Sequence, residues 1–266
     1  MSLANFNSAA DAMNTLTTRM NGFWDGIDAD VATRQAAYDA LAANLDLVAD
    51  HRLYFQVTLD PDEVAPTSGY DGVYNDLQAI INDAPIGSHI RVKMAAAKVF
   101  ETSGYVVMKM HTTLEFFGVD GSAPPGGEPR LKFGAVLFGG NNLLQYIRPD
   151  TGCKIIFRSV FVELPAKIDA GQPWIVPHSF TGWFNGIQSA FEFYNSRVFG
   201  SDATLSLISN FVGGIVSVSV HNTEIDTVNL VDAAYGIALI AHYSPTLTNG
   251  GTLQTGGVLG TTLLMN

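Results

Sequence analysis

Three stretches of the chain repeat one short pattern: Phe191-Glu-Phe-Tyr-Asn-Ser-Arg-Val198, Val216-Ser-Val-Ser-Val-His-Asn-Thr-Glu-Ile225 and, more loosely, Ile155-Ile-Phe-Arg-Ser-Val-Phe-Val162. Apolar residues at period two put alternate side chains on one face of a strand. A small polar pair then turns the chain, and a further apolar residue points back inward. Units of this kind bury their inward faces by stacking on one another. Ile237–Ser244 is a fourth candidate, and Val106–Leu114 a fifth. The pattern predicts a mainly β chain built on a short right-handed parallel β-helix. The turns recur unevenly, at 159, 195, 222 and 243, so insertions must leave the stack as outward loops. The alternative is a β-sandwich whose half-buried strands end in polar turns, because Asn-Ser and Asn-Thr are ordinary turn residues.

Composition narrows the function classes. The chain has 266 residues, 47% of them hydrophobic, enough for a substantial core. Charged residues make up only 15%, against about a quarter in an average soluble domain, which suggests surface covered by partners. The net charge of −11 argues against a phosphate-binding cationic surface, so no nucleic-acid partner is expected. Cys153 is the single cysteine; it cannot form an intramolecular disulfide and is read as a small buried hydrophobe. No segment reaches the length of an apolar membrane span, and no secretory signal pattern is present, so no membrane insertion is expected.

The first fifty residues follow a different period. Phe6, Met13, Met20 and Ile27 recur every seven positions, with Ala9, Leu16 and Phe23 three residues after the first three, which forms an a/d seam. Gly22 and Gly26 weaken the helix, and Asp28 or Asp30 can cap a second one carrying Val31, Tyr38 and Leu45, with Leu41 and Val48 between them. The four-residue step from Ile27 to Val31 is either a stutter or a break into a hairpin. Two arrangements follow: an intramolecular helical hairpin packed on the β region, or a short trimeric bundle leading three chains in parallel.

Leu53–Leu59 reads as a strand, Tyr74, Leu77, Ile80 and Ile81 stripe a helix across Val73–Asp83, and His89–Met94 reads as the next strand. That short helix would cover one open end of the stack. The expected organisation is a helical anchor at 1–50, a transition strand and capping helix at 51–88, and a β-helix-like display domain at 89–266. Gly121–Pro129 and Pro165–Trp183 are loop excursions by composition. The second carries Trp174, His178 and Trp183 as candidate surface-recognition residues, although loop aromatics also fold back onto a core.

Catalytic and cofactor signatures are absent from the sequence. The six histidines include no pair at zinc-motif spacing, and no P-loop, dinucleotide fingerprint or Gly-x-Ser-x-Gly elbow occurs. Gly118-Val-Asp-Gly121 lacks the flanking acids of a calcium loop. His111 and His221 are read as residues at comparable turn positions. No cofactor and no metal are expected.

A helical N-terminal segment, a transition helix, strand-turn units such as Phe193-Tyr-Asn-Ser196 and Val220-His-Asn-Thr223, and a Gly/Thr-rich end from Thr246 to Thr262 together resemble bacteriophage virion appendages: tail fibres, tailspikes and head-decorating fibres. The resemblance is one of architecture over most of the chain. It implies a homotrimer located on the virion, bound to other virion proteins through its N-terminal helices and displaying its β region to a host-surface glycan; a capsid-decorating protein is an alternative. Some tailspikes degrade polysaccharide, which requires two suitably spaced carboxylates. Glu224 and Asp226, two residues apart on a strand and so on one face, are the weak catalytic candidates, with Asp202 and Asp232 near neighbouring turns. The expected role is nonetheless structural rather than enzymatic.

Overall fold

The computed structural model describes residues 3–102, 104–118, 127–174, 178–181, 188–209, 215–232, 237–255 and 262–265. The chain divides into two compact units, Met1–His51 and Arg52–Asn266. It is mostly β, with one long N-terminal helix and parallel sheets.

The first unit is covered by a single helix, Leu3–Leu53, about 77 Å long at 1.5 Å per residue. The expected break at Gly22–Gly26 does not occur, and with it goes the helical hairpin. Two helix-interior glycines cost only about 1 kcal/mol each, and no proline interrupts the run. Asp30, read as a cap, instead lies inside the helix and pairs with Arg34 one turn on, Nε to Oδ2 at 2.9 Å. Thr15, Thr17, Thr18 and Thr33 hold their hydroxyls in-house by donating to the carbonyls four residues earlier. In a continuous helix the step from Ile27 to Val31 is a stutter of the heptad.

In the second unit, nine strands among the described residues form one long sheet. Its order is Val73–Tyr74, Tyr54–Leu59, His89–Met94, Thr113–Gly118, Lys154–Arg158, Gln188–Tyr194, Ile215–His221, Ile237–Tyr243 and Thr262–Met265. A second sheet orders Thr246–Thr248, Glu224–Asp226, Arg197–Phe199, Phe161–Glu163, Arg130–Lys132 and Val99–Glu101. A third orders His178–Thr181, Ser206–Ser209, Asn229–Asp232 and Thr252–Thr255. The chain visits the three in turn: Gln188–Tyr194, Arg197–Phe199 and Ser206–Ser209 are followed by Ile215–His221, Glu224–Asp226 and Asn229–Asp232. All pairings in these sheets are parallel. That sense overturns the β-sandwich alternative, which needs antiparallel strands.

The corners between the long and second sheets carry the polar turn seen in the sequence. Ser159, Asn195, Asn222 and Ser244 all have positive φ, between 45° and 53°, a left-handed conformation that short polar side chains tolerate best after glycine. The fourth corner therefore belongs to Ser244, one residue beyond the expected Tyr243. The residue after the corner turns inward: Val160, Ser196 and Thr223 are buried. Ser196 Oγ and Thr223 Oγ1 then donate to the carbonyls of Tyr194 and His221, both at 2.9 Å, so neither buried hydroxyl is left unsatisfied. Asn222 Nδ2 reaches Asn195 Oδ1 at 3.4 Å, linking one corner to the next.

Inside, parallel register stacks like on like. Val57, Val92, Phe116, Phe157, Phe193 and Val220 form one column, and Phe55, Ile90, Leu114, Ile155, Phe191, Val218 and Ile240 form the next. All are essentially buried. Cys153 is buried too, as expected; burial pushes its thiol pKa up, and Sγ donates to the Lys109 carbonyl at 3.1 Å.

Two expectations about the entrance change. The segment from Tyr54 onward is part of the β unit, because Tyr54–Leu59 pairs with His89–Met94 along its whole length. The short helix is Leu77–Asp83, while Val73–Tyr74 is a strand. Asp76 caps the helix by accepting from the amides of Gln78 and Ala79, and Leu77, Ile80 and Ile81 are buried. Tyr74 ties strand to helix by donating to Asp83 Oδ2 at 2.8 Å, and burial together with Asp83 pushes its phenol up to about 12. The fifth repeat candidate is divided: Val106–Val107 pairs with Ile147–Arg148 in a separate two-stranded sheet, and only Thr113–Gly118 joins the long sheet. His111 precedes its strand with φ of 57°, whereas His221 closes one, so the two histidines are not equivalent. A hairpin, Ala135–Phe138 with Asn141–Leu144, turns through Gly139 and Gly140, both at positive φ, as a two-residue hairpin loop requires.

Candidate functional site

The outward face of the second sheet gathers charged and aromatic side chains. Its four inner three-residue strands bury only their middle residue, at Leu131, Val162, Val198 and Ile225, so the flanking residues line up outside in two columns. Parallel register places Arg130, Phe161, Arg197 and Glu224 in one column, and Lys132, Glu163, Phe199 and Asp226 in the other. The Arg130 guanidinium lies 4.9 Å from the Phe161 ring centroid and that of Arg197 lies 5.3 Å from it. Phe161 and Phe199 are stacked at 6.0 Å. Together with Glu128, Glu163 and Asp226, these residues line an open groove of about 330 Å³, at the small end of the range for ligand pockets.

Glu224 and Asp226 do share the outward face, as their spacing predicts. Their carboxylates are occupied by neighbours: Glu224 Oε2 lies 2.7 Å from Arg197 Nε, and Asp226 Oδ1 accepts from Asn249 at 2.8 Å and Thr227 at 2.9 Å. Asp232 lies on the third sheet and Asp202 on the turn before Ser206–Ser209, so neither shares a strand with the pair.

A second charged cluster lies on the outer face of the long sheet, and the sequence offered no cue to it. Glu115 is buried beside an imidazole and two guanidiniums: His89 Nε2 at 2.8 Å and Arg91 Nε at 3.1 Å from Oε2, and Arg158 Nε at 2.6 Å from Oε1. The His89 contact, opposed by burial but joined by Arg158 and Arg91, brings its pKa down to about 2. Beside it an external column runs Phe117, Arg158, Tyr194, His221 and Tyr243. Arg158 covers Tyr194 at 4.2 Å, and Tyr194 stacks on His221 at 4.8 Å with planes 9° apart.

The loop aromatics fare differently. Trp174 takes the core-facing alternative: its ring packs against the hydrophobic core and its Nε1 donates to Asp202 Oδ2 at 3.0 Å. Burial raises the Asp202 pKa, but donation from Thr204 and Trp174 and the Lys167 charge outweigh it, so the carboxyl falls below its ordinary value. His178 lies on the strand His178–Thr181, its side chain outside the described residues. Trp183 and Val119–Gly121 also lie outside the described residues.

On the helix, Met13, Leu16, Met20 and Phe23 are exposed, at 70, 58, 51 and 65%. Ala9 is exposed as well, Ile27 is half-buried, and the Phe6 side chain lies outside the described residues. Trp24, Val31, Tyr38 and Leu41 extend the apolar exposure along the helix. Among the described residues, no helix is long and apolar enough to cross a membrane, and no group of His, Cys, Asp and Glu could hold a metal ion.

The residues missed at the sequence level are Arg130, Phe161, Arg197, Phe199 and Glu115. Each occupies an ordinary alternating strand position, and their grouping follows from which strands pair. No family model, curated protein or solved structure matches the chain.

Proposed function

We propose that this chain is a phage virion structural protein, a homotrimeric fibre or spike displayed on the particle for host-surface attachment. The observation that carries the reading is the exposed apolar seam of the 51-residue helix. An apolar seam at heptad spacing is stabilised by burial against helical partners, and a third copy completes a parallel bundle. The β unit is read as a short right-handed parallel β-helix. Supporting this are the three parallel sheets visited in turn, and corners that meet in register at Ser159, Asn195, Asn222 and Ser244. In this reading the helix attaches to other virion proteins and the β unit faces a host-surface glycan, with no enzymatic step.

Sedimentation of the full-length chain at micromolar concentration should give three times the 28.5 kDa chain mass; a strictly monomeric species overturns the trimer. Gold-labelled antibody against the chain should decorate intact particles, and removal of residues 1–50 should abolish incorporation. Particles that never carry the chain overturn the virion reading. Labelling confined to the head shell would instead identify a capsid-decorating protein.

A further inference from the structure

The groove on the second sheet offers a ligand three kinds of surface on one rigid face. Phe161 and Phe199 supply apolar surface. Arg130 and Arg197 supply hydrogen-bond donors, and Glu163 and Asp226 supply acceptors. All six stand on strands paired on both sides, so their spacing is set before any ligand arrives, which lowers the ordering cost of binding. Arg130 Nη1 is 3.8 Å from Glu163 Oε2, beyond hydrogen-bond length, so this pair can admit a ligand hydroxyl without losing a bond of its own.

Charge limits the class of ligand. With Glu128, the groove carries three carboxylates against two guanidiniums, on a chain of net charge −11; a polyanion would meet like charge. A purely apolar ligand would strip water from five ionic groups without replacing their hydrogen bonds. What matches the lining is a molecule whose adjacent hydroxyls both donate and accept and whose ring faces are apolar. We infer that this groove is a binding site for a neutral glycan. The chemistry of the groove stands by itself; only the assignment of that glycan to a host surface rests on the virion reading.

The test is a printed array of neutral, sialylated and phosphorylated oligosaccharides probed with the full-length protein, followed by calorimetric titration of the strongest neutral binder. Sub-millimolar binding of a neutral oligosaccharide is expected. Phe199→Ala and, independently, the half-exposed Arg130→Gln should each weaken it at least tenfold, with circular dichroism and oligomeric state unchanged. Binding restricted to anionic glycans, no binding at all, or affinity unmoved by Arg130→Gln overturns the assignment. Location on particles is measured separately, so each idea can fail alone: a particle-borne chain that binds no neutral glycan removes the groove, and a glycan-binding chain absent from particles removes the virion reading.

Discussion

The Phe157 ring lies on that of Phe193, centroids 5.0 Å apart and planes 18° from parallel, and on its other side the Phe116 ring follows at 5.5 Å and 8°. Three phenyl groups thus occupy consecutive positions of one buried column. The cause is register: Phe116 pairs with Phe157 and Phe157 with Phe193 in a parallel ladder, and a parallel ladder repeats the same side-chain direction at every step of about 4.8 Å.

Phe157→Ala should therefore open a cavity with rings on both sides that cannot close over it. A loss of about 3–5 kcal/mol is expected, read as a lower denaturation midpoint in guanidinium. Phe157→Leu should cost clearly less. Equal effects of the two would show that the column collapses freely and that stacking contributes nothing.

Asn222 holds φ at 45° in a corner. Replacement by valine should destabilise by about 1–2 kcal/mol, because a β-branched side chain clashes in the left-handed region. Asn222→Gly should cost less than valine, giving up the 3.4 Å bond to Asn195 and some backbone entropy but accepting the positive φ. Thermal melts of both variants decide this; a valine variant as stable as glycine would contradict the geometry.

Glu115 links stability to pH. Its pKa falls from an ordinary 4.5 to about 2 in the folded chain, so the unfolded state binds the proton more readily. The stabilisation is complete above about pH 4.5 and is lost as pH falls toward about 2. The shift corresponds to at most about 3.5 kcal/mol. Denaturation midpoints between pH 6 and pH 2 should fall in wild type and fall less steeply in Glu115→Gln. Parallel profiles would exclude Glu115 as a source of the slope.

Leu16→Glu and Met20→Glu place charges on the exposed helix seam at positions that are themselves exposed. Under the trimer proposal either should shift sedimentation toward monomer, and the pair together should do so completely. The β signal in circular dichroism should stay constant. A trimer that survives both charges would have to be held together elsewhere.

The local features of the fold were legible in the residues. Period-two runs at Phe191–Tyr194 and Val216–His221 became strands, and the pairs Asn195-Ser196 and Asn222-Thr223 became corners. Both follow from short-range physics: side-chain alternation, and the tolerance of asparagine for positive φ. The helix was legible from its heptads, but its continuity was not, because Gly22 and Gly26 followed by Asp28 and Asp30 look locally like an end and a new cap. Only the cooperativity of the whole helix outweighs them.

The groove shows the other limit. Arg130, Phe161, Arg197 and Glu224 are scattered along 95 residues of chain and carry no common motif, yet they stand in one column. Alternation along each strand already points them outward. Which strand lies beside which depends on how the intervening excursions leave and rejoin the sheets, and that pairing is non-local. The residues alone therefore settle the strands, the corners and the heptad seam, through interactions within a few positions. Parallel register, an entropic and packing outcome of the whole chain, alone brings a phenyl ring between two guanidiniums and buries Glu115 between Arg91, Arg158 and His89.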